Sequence, residues 1–363
     1  MRSIFFTGLC LCAAHLLFSP AGAADIRTIA GTGRQTYSGD GGPAHEAGIA
    51  EPFGLTIGPD GALYVCSVKN HCIRRIDDRT GFISTVAGSG QMGYSGDGNP
   101  ASRALCNEPY EVRFDVEGNM FFVEMQNHLV RRVDAKTSII STVAGTGTAG
   151  FAGDGEKAVK AKLKQPHSIA LDGAGGLYIA DIGNNRIRRV DLRSGLIDTV
   201  AGTGERGATP DGAALSGTPL DGPRALDFDL RGQMYLALRE GNTVFRVDLR
   251  GQKLVHLAGT GNKGFSGDGG PARLAKLSGP KGIAIGPSGD VYLADTENHA
   301  IRVIRAAGRT IETLVGDGTA GDGPEGAPRL CRLQRPHGIY VDAKGNVYIG
   351  DSSNHRVRKL TVQ

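Results

Sequence analysis

The chain has 363 residues, with 41 Lys and Arg against 37 Asp and Glu and a formal net charge of +4. The signs are mixed along its length with no basic block, which excludes a dedicated nucleic-acid binder that gathers its cations on one face. Its 56 glycines and its lack of tryptophan point to a turn-rich chain with far more β than α structure.

In chain order the first element is an export signal. Arg2 supplies the positive start, Ile4 to Phe18 the apolar stretch, Ser19-Pro20 the break and Ala21-Gly22-Ala23 an A-x-A cleavage site before Ala24. The stretch is too short to cross a bilayer comfortably, and no later segment is apolar enough. The expected organisation is a signal peptide over 1–23 and one domain over 24–363, secreted or periplasmic, with no membrane span. Cys10 and Cys12 fall inside the signal. Of the remaining four cysteines, Cys66 and Cys72 flank a short turn, where a hairpin disulfide and two buried thiols are both open readings.

The rest of the chain repeats. A proline precedes an apolar run at Pro52, Pro109, Pro166, Pro223, Pro280 and Pro336, in steps of 57, 57, 57, 57 and 56 residues. In the third unit SIALD, LYIAD, RIRRVD and LIDTVAGTG read as four strands, separated by GAGG, IGNN and a third turn. Four short antiparallel strands, six times over, predict an all-β fold: a six-bladed β-propeller. The sixth unit ends after its third strand, at RVRKLTVQ. The segment from Asp25 to Gly33, DIRTIAGTG, matches the missing fourth strand, so it should complete the last blade and close the ring.

Strand parity puts the residue after each repeat proline at the top of the central channel. The six are Phe53, Tyr110, His167, Arg224, Lys281 and His337. His167 and His337, three blades apart, should oppose each other as acid and base, with Tyr110 as a proton donor. Arg224 and Lys281 would make one wall positive, suited to a carboxylate, phosphate or enolate. Phe53 and Glu111 complete the expected substrate contacts. Lower down, Arg113 and Asp227 are expected to pair across the channel. The acids Glu124, Asp181, Asp295 and Asp351, and the N-H turns such as Asn70-His71, read as turn chemistry. The inter-blade loops (YSGDGGPA, YSGDGNPA, FAGDGEKA, FSGDGGPA) carry one aspartate each. A turn leading into a short helix explains them more simply than calcium.

The pattern P-x-G-I-A-x-D-x-x-G-x-x-Y-I-A-D-x-x-N-H-R-I-R-R-V resembles the NHL repeat family over essentially the whole of 24–363. That resemblance implies the propeller and leaves function open, because the family includes enzymes, sensors and interaction platforms. QPHSIAL is similar to the P-H-S segment of peptidylglycine amidating lyase. This implies His167, and His337 in RPHGIYV, as ligands of a divalent metal (zinc or calcium) in the channel, and Arg224 as a carboxylate contact. A three-histidine zinc site needs one ligand more, and the other mouth positions do not supply it. Streptogramin B lyases and lactonase-type propellers are more distant analogies. Two function classes follow: a lyase or hydrolase acting on a small anionic molecule, or a non-catalytic extracellular module binding a protein or peptide through the loop aromatics Tyr37, Tyr94, Phe151 and Phe265. A closed ring needs no partner, so a monomer is expected.

Overall fold

Each proline-led unit becomes one antiparallel sheet whose first strand lies innermost and whose fourth lies outermost. In a computed structural model, which describes residues 24–362, the second blade comprises Pro109–Phe114, Met120–Glu124, Leu129–Val133 and Ile140–Ala144. The other five follow the same order. The expected signal peptide over 1–23 lies outside the described residues. Innermost strands contact those of both neighbouring blades all round the ring. Blades three and four each gain a fifth, two-residue outer strand, Glu156–Lys157 and Ala213–Ala214, contributed by the preceding loop.

Closure is as expected. Asp25–Ala30 pairs antiparallel with Arg356–Thr361, Asp25 opposite Thr361 and Ile26 opposite Leu360, and forms the outer strand of the sixth blade. The cores lie between blades. In one of them Ile26, Val315, Ile349 and Leu360 pack together, so closure also buries apolar surface. The inter-blade loops do form short helices, three-residue 3-10 turns such as Ala44–Glu46 and Ala272–Leu274, with Pro43 and Pro271 at their N-caps.

Glycine decides how near the inner strands approach. A Cβ on Gly338 would meet the carbonyl oxygen of Phe53 at 1.9 Å, and one on Gly282 would meet that of His337 at 2.3 Å. Blades five, six and one can therefore crowd the axis. Blades two, three and four carry Glu111, Ser168 and Ala225 at the same place.

The repeated polar residues form a frame. Glu124, Asp181, Asp295 and Asp351 are fully buried. Each accepts a backbone N–H from the preceding loop and a side-chain N–H from the asparagine three residues on. Each also faces a buried arginine on strand three: Arg131, Arg188, Arg302 or Arg358. Those arginines pair outward with the loop aspartates Asp97, Asp154, Asp268 and Asp322, while Arg74 pairs with Asp40. The loop aspartates are therefore arginine partners. The loop aromatics Tyr37, Tyr94, Phe151 and Phe265 are half-exposed, but each commits one ring face to such an arginine, at 5.2, 5.1, 4.9 and 5.0 Å respectively.

Cys66 and Cys72 are separate buried thiols. Cys72 stands opposite Ser67 in the ladder, so Cys66, one residue away, projects from the other face of the sheet.

Candidate functional site at the channel mouth

The turn histidines position the mouth. His71, His128, His299 and His355 sit in the left-handed conformation at the end of their turns. Each ring Nδ1 accepts the backbone N–H of the residue before the next blade's proline: Glu108, Gln165, Arg335 and Glu51. Those residues also adopt positive φ, which an unsupported pre-proline residue avoids. Carbonyl oxygens of the same loop residues then orient the mouth histidines. His167 Nδ1 donates to Gln165 O at 2.7 Å and His337 Nδ1 to Arg335 O at 2.9 Å. A carbonyl only accepts, so both rings carry their proton on Nδ1 and leave Nε2 as a lone pair.

The six predicted mouth residues converge. His337 stacks on Phe53 at 3.9 Å; Phe53 meets Tyr110 edge-on at 4.7 Å; Tyr110 meets His167 edge-on at 4.8 Å. That aromatic arc lines one half of the ring. Arg224 and Lys281 line the other, with the Arg224 guanidinium 5.3 Å from the centre of the Tyr110 ring.

The two histidines differ. His337 Nε2 lies 3.3 Å from Lys281 Nζ, whose other partner is Glu297 Oε1 at 2.8 Å. His167 Nε2 has no partner among the described residues. Beside it opens a pocket of about 290 Å³ walled by Arg206, Gly222, Arg239 and Glu240. Burial, with Arg224 next to it, holds His167 well below the ordinary imidazole range; burial and Lys281 do the same to His337. Both are neutral bases at physiological pH. Burial pushes Lys281 down to about 8 and raises the Tyr110 hydroxyl, which stays protonated.

Lower in the channel Arg113 pairs with its strand neighbour Glu111 at 2.5 Å, two residues away on the same face, and not with Asp227 as expected. Asp227 instead accepts the backbone N–H groups of Ile285 and Phe228. Glu111 therefore enters the site as an arginine's partner, below the six mouth residues.

A zinc or calcium ion does not suit these donors. Among the described residues no three His, Cys, Asp or Glu side chains converge. The six mouth positions hold no carboxylate, and His337 turns its free nitrogen to an ammonium. Residues that sequence reasoning missed are Arg206, Arg239, Glu240 and Glu297. For Arg239 and Glu240 the available signal was the fourth unit's break from the N-H turn, LREGN in place of a D-x-x-N-H run.

The NHL repeat pattern matches residues 277–304 and 333–360, and the Teneurin NHL domain pattern matches residues 146–214. The chain carries NHL repeats. Among NHL-bearing relatives, NHL repeat-containing protein 2 of Bos taurus is 27% identical over 74% of this chain and 41% of its own length. Protein SUPPRESSOR OF QUENCHING 1, chloroplastic, of Arabidopsis thaliana is 29% identical over 77% of this chain and 27% of its own length. The chain thus spans less than half the length of these relatives. Among solved structures, an auxiliary nutrient binding protein of Bacteroides thetaiotaomicron superposes with a TM-score of 0.68 at 19% identity, covering 93% of this chain and 76% of that one. Virginiamycin B lyase of Staphylococcus aureus does so with a TM-score of 0.53 at 15% identity, covering 94% and 100%. At these identities the superpositions establish the propeller fold. No helix among the described residues is long and apolar enough to cross a membrane.

Proposed function

We propose that this NHL propeller is exported and binds a small anionic molecule at the top of its channel, with His167 placed to take a proton from it. The observation that carries this reading is Arg224. It is 5% exposed, and no described residue gives it a hydrogen bond or an ion pair. Glu111 and Glu240 act on it only through space, and burial lowers it to about 10, a cost that a bound anion would relieve. A carboxylate held by Arg224 would lie beside His167 Nε2, the free base, and within reach of the protonated Tyr110 hydroxyl. That set suits proton abstraction next to a carboxylate followed by elimination, or attack by a water activated at His167. Lys281 adds positive charge to the same wall.

The test is a thermal-shift and calorimetric titration with malonate, sulfate and acetate, comparing the wild type with Arg224→Gln. Loss of a charge-assisted contact should weaken binding by about 10- to 100-fold. Equal affinity in the two proteins would overturn the site. A His167→Ala protein that keeps anion affinity and shows no turnover where the wild type has it assigns catalysis. If the wild type turns over none of the compounds it binds, the propeller is a binding module.

A further inference from the structure

We propose that the fourth blade carries a second ligand site, at its outer top edge, for a planar aromatic cation of the amidinium or guanidinium class. The site shares Glu240 with the wall of the pocket beside His167.

Four blades show what normally fills this place. In blades one, two, three and five a loop aromatic lies on the buried strand-three arginine. In blades two, three and five a turn asparagine also donates to the loop carbonyl of Gly93, Gly150 or Gly264, at 2.7 Å in each case. One repeat step of 57 residues after blade three, the aromatic becomes Ala208, the arginine Phe245, the strand acid Leu238 and the asparagine Gly241. Blade six also lacks the aromatic, but there Arg356 and Arg358 both close on Asp322.

The four changes open a cavity of about 630 Å³, lined by Ala208, Leu238, Gly241, His256, Asp211 and Glu240 among others. Leu238 and His256 stand in its lining beside polar residues. His256 is fixed by Nε2–H donation to the carbonyl of Gly259 at 2.7 Å, with Phe245 tilted against it at 5.4 Å. Every cation at the rim is spoken for: Arg273 by Asp211 at 2.9 Å, Arg206 by Asp221 at 2.8 Å and Arg239 by Glu240 Oε1 at 2.7 Å. What remains unused is acceptor. Glu240 Oε2 is buried without a hydrogen-bond partner. Gly207 lines the cavity at the position whose carbonyl takes the asparagine side-chain amide in other blades, and Gly241 has no side chain to offer one.

A ring lying on Leu238 and His256 would replace the missing aromatic. An amidinium or guanidinium at its edge would supply the missing donors to Glu240 and Gly207. An anion would have to compete with an acid for each of these three arginines.

The probe is benzamidine, titrated against the full chain by calorimetry and ligand-observed NMR, with benzoate as the same ring of opposite charge. Saturable one-to-one benzamidine binding is expected. Glu240→Gln should weaken it about 10-fold. Ala208→Tyr/Gly241→Asn, which restores the residues of the other blades, should abolish it, and Arg224→Gln should leave it unchanged. If the double variant does not fold, Ala208→Phe alone fills the cavity. No saturable benzamidine binding in the millimolar range, or equal binding by a filled variant, overturns the site. Benzoate binding the Arg224→Gln protein as tightly as benzamidine does overturns the ligand class.

Discussion

Arg131, on the third strand of blade two, and Arg224, at the mouth, are both buried, yet their surroundings are opposite. Arg131 is held by Glu124 at 2.8 Å and Asp97 at 2.6 Å, under the ring of Tyr94. Arg224 has only a ring beneath it. Burial of a charge is costly unless the charge is partnered. The first setting is therefore a structural joint, repeated from blade to blade with small changes. The second occurs once, and an anion from outside would complete it. The fourth blade sharpens the contrast. It supplies Arg224 to the mouth, and it alone has lost both the strand-three arginine and its strand acid.

The largest expected effect breaks the partnered side of this comparison. Arg131→Ala leaves Glu124 buried without its main counter-charge and should cost about 3–5 kcal/mol of stability, read by urea unfolding. Arg224→Gln should leave stability unchanged or raise it. If the two variants unfold alike, the distinction between joint and site fails.

Next in size is a pH effect at the mouth. The folded value of Lys281, about 8, lies below its ordinary 10.5. The unfolded chain therefore holds the extra proton between those values, and stability from this group should rise with pH across that window. Anion affinity should move the other way, falling as pH passes about 8 because the wall loses a charge. A Lys281→Met protein whose anion affinity declines just as steeply there would assign the effect elsewhere.

The smallest effect tests how the mouth is aimed. His128→Ala removes the bond that holds Gln165, whose carbonyl orients His167. It should cost about 1 kcal/mol of stability. It should also alter the NMR titration of the His167 ring, which a variant at His299, tied to the loop of His337, would leave alone.

The proline spacing, the turn glycines and the displaced fourth strand at Asp25 were enough to read six blades, their strands and ring closure. Each is a local or periodic property, and stacking repeats have few ways to bury their faces. Parity along the repeat also brought Phe53, Tyr110, His167, Arg224, Lys281 and His337 to one opening. Which of them are free depended on contacts from other blades. Lys281 of blade five engages His337 of blade six, while no described residue gives Arg224 a hydrogen bond or ion pair. Arg113 chose Glu111, its neighbour along one strand, over Asp227, because residues two apart share a face of the sheet. The fourth blade's cavity is visible in sequence only as four missing residues. Three-dimensional packing decided that the space stays open, since Phe245 fills the place of the arginine and no described residue replaces the aromatic ring at Ala208.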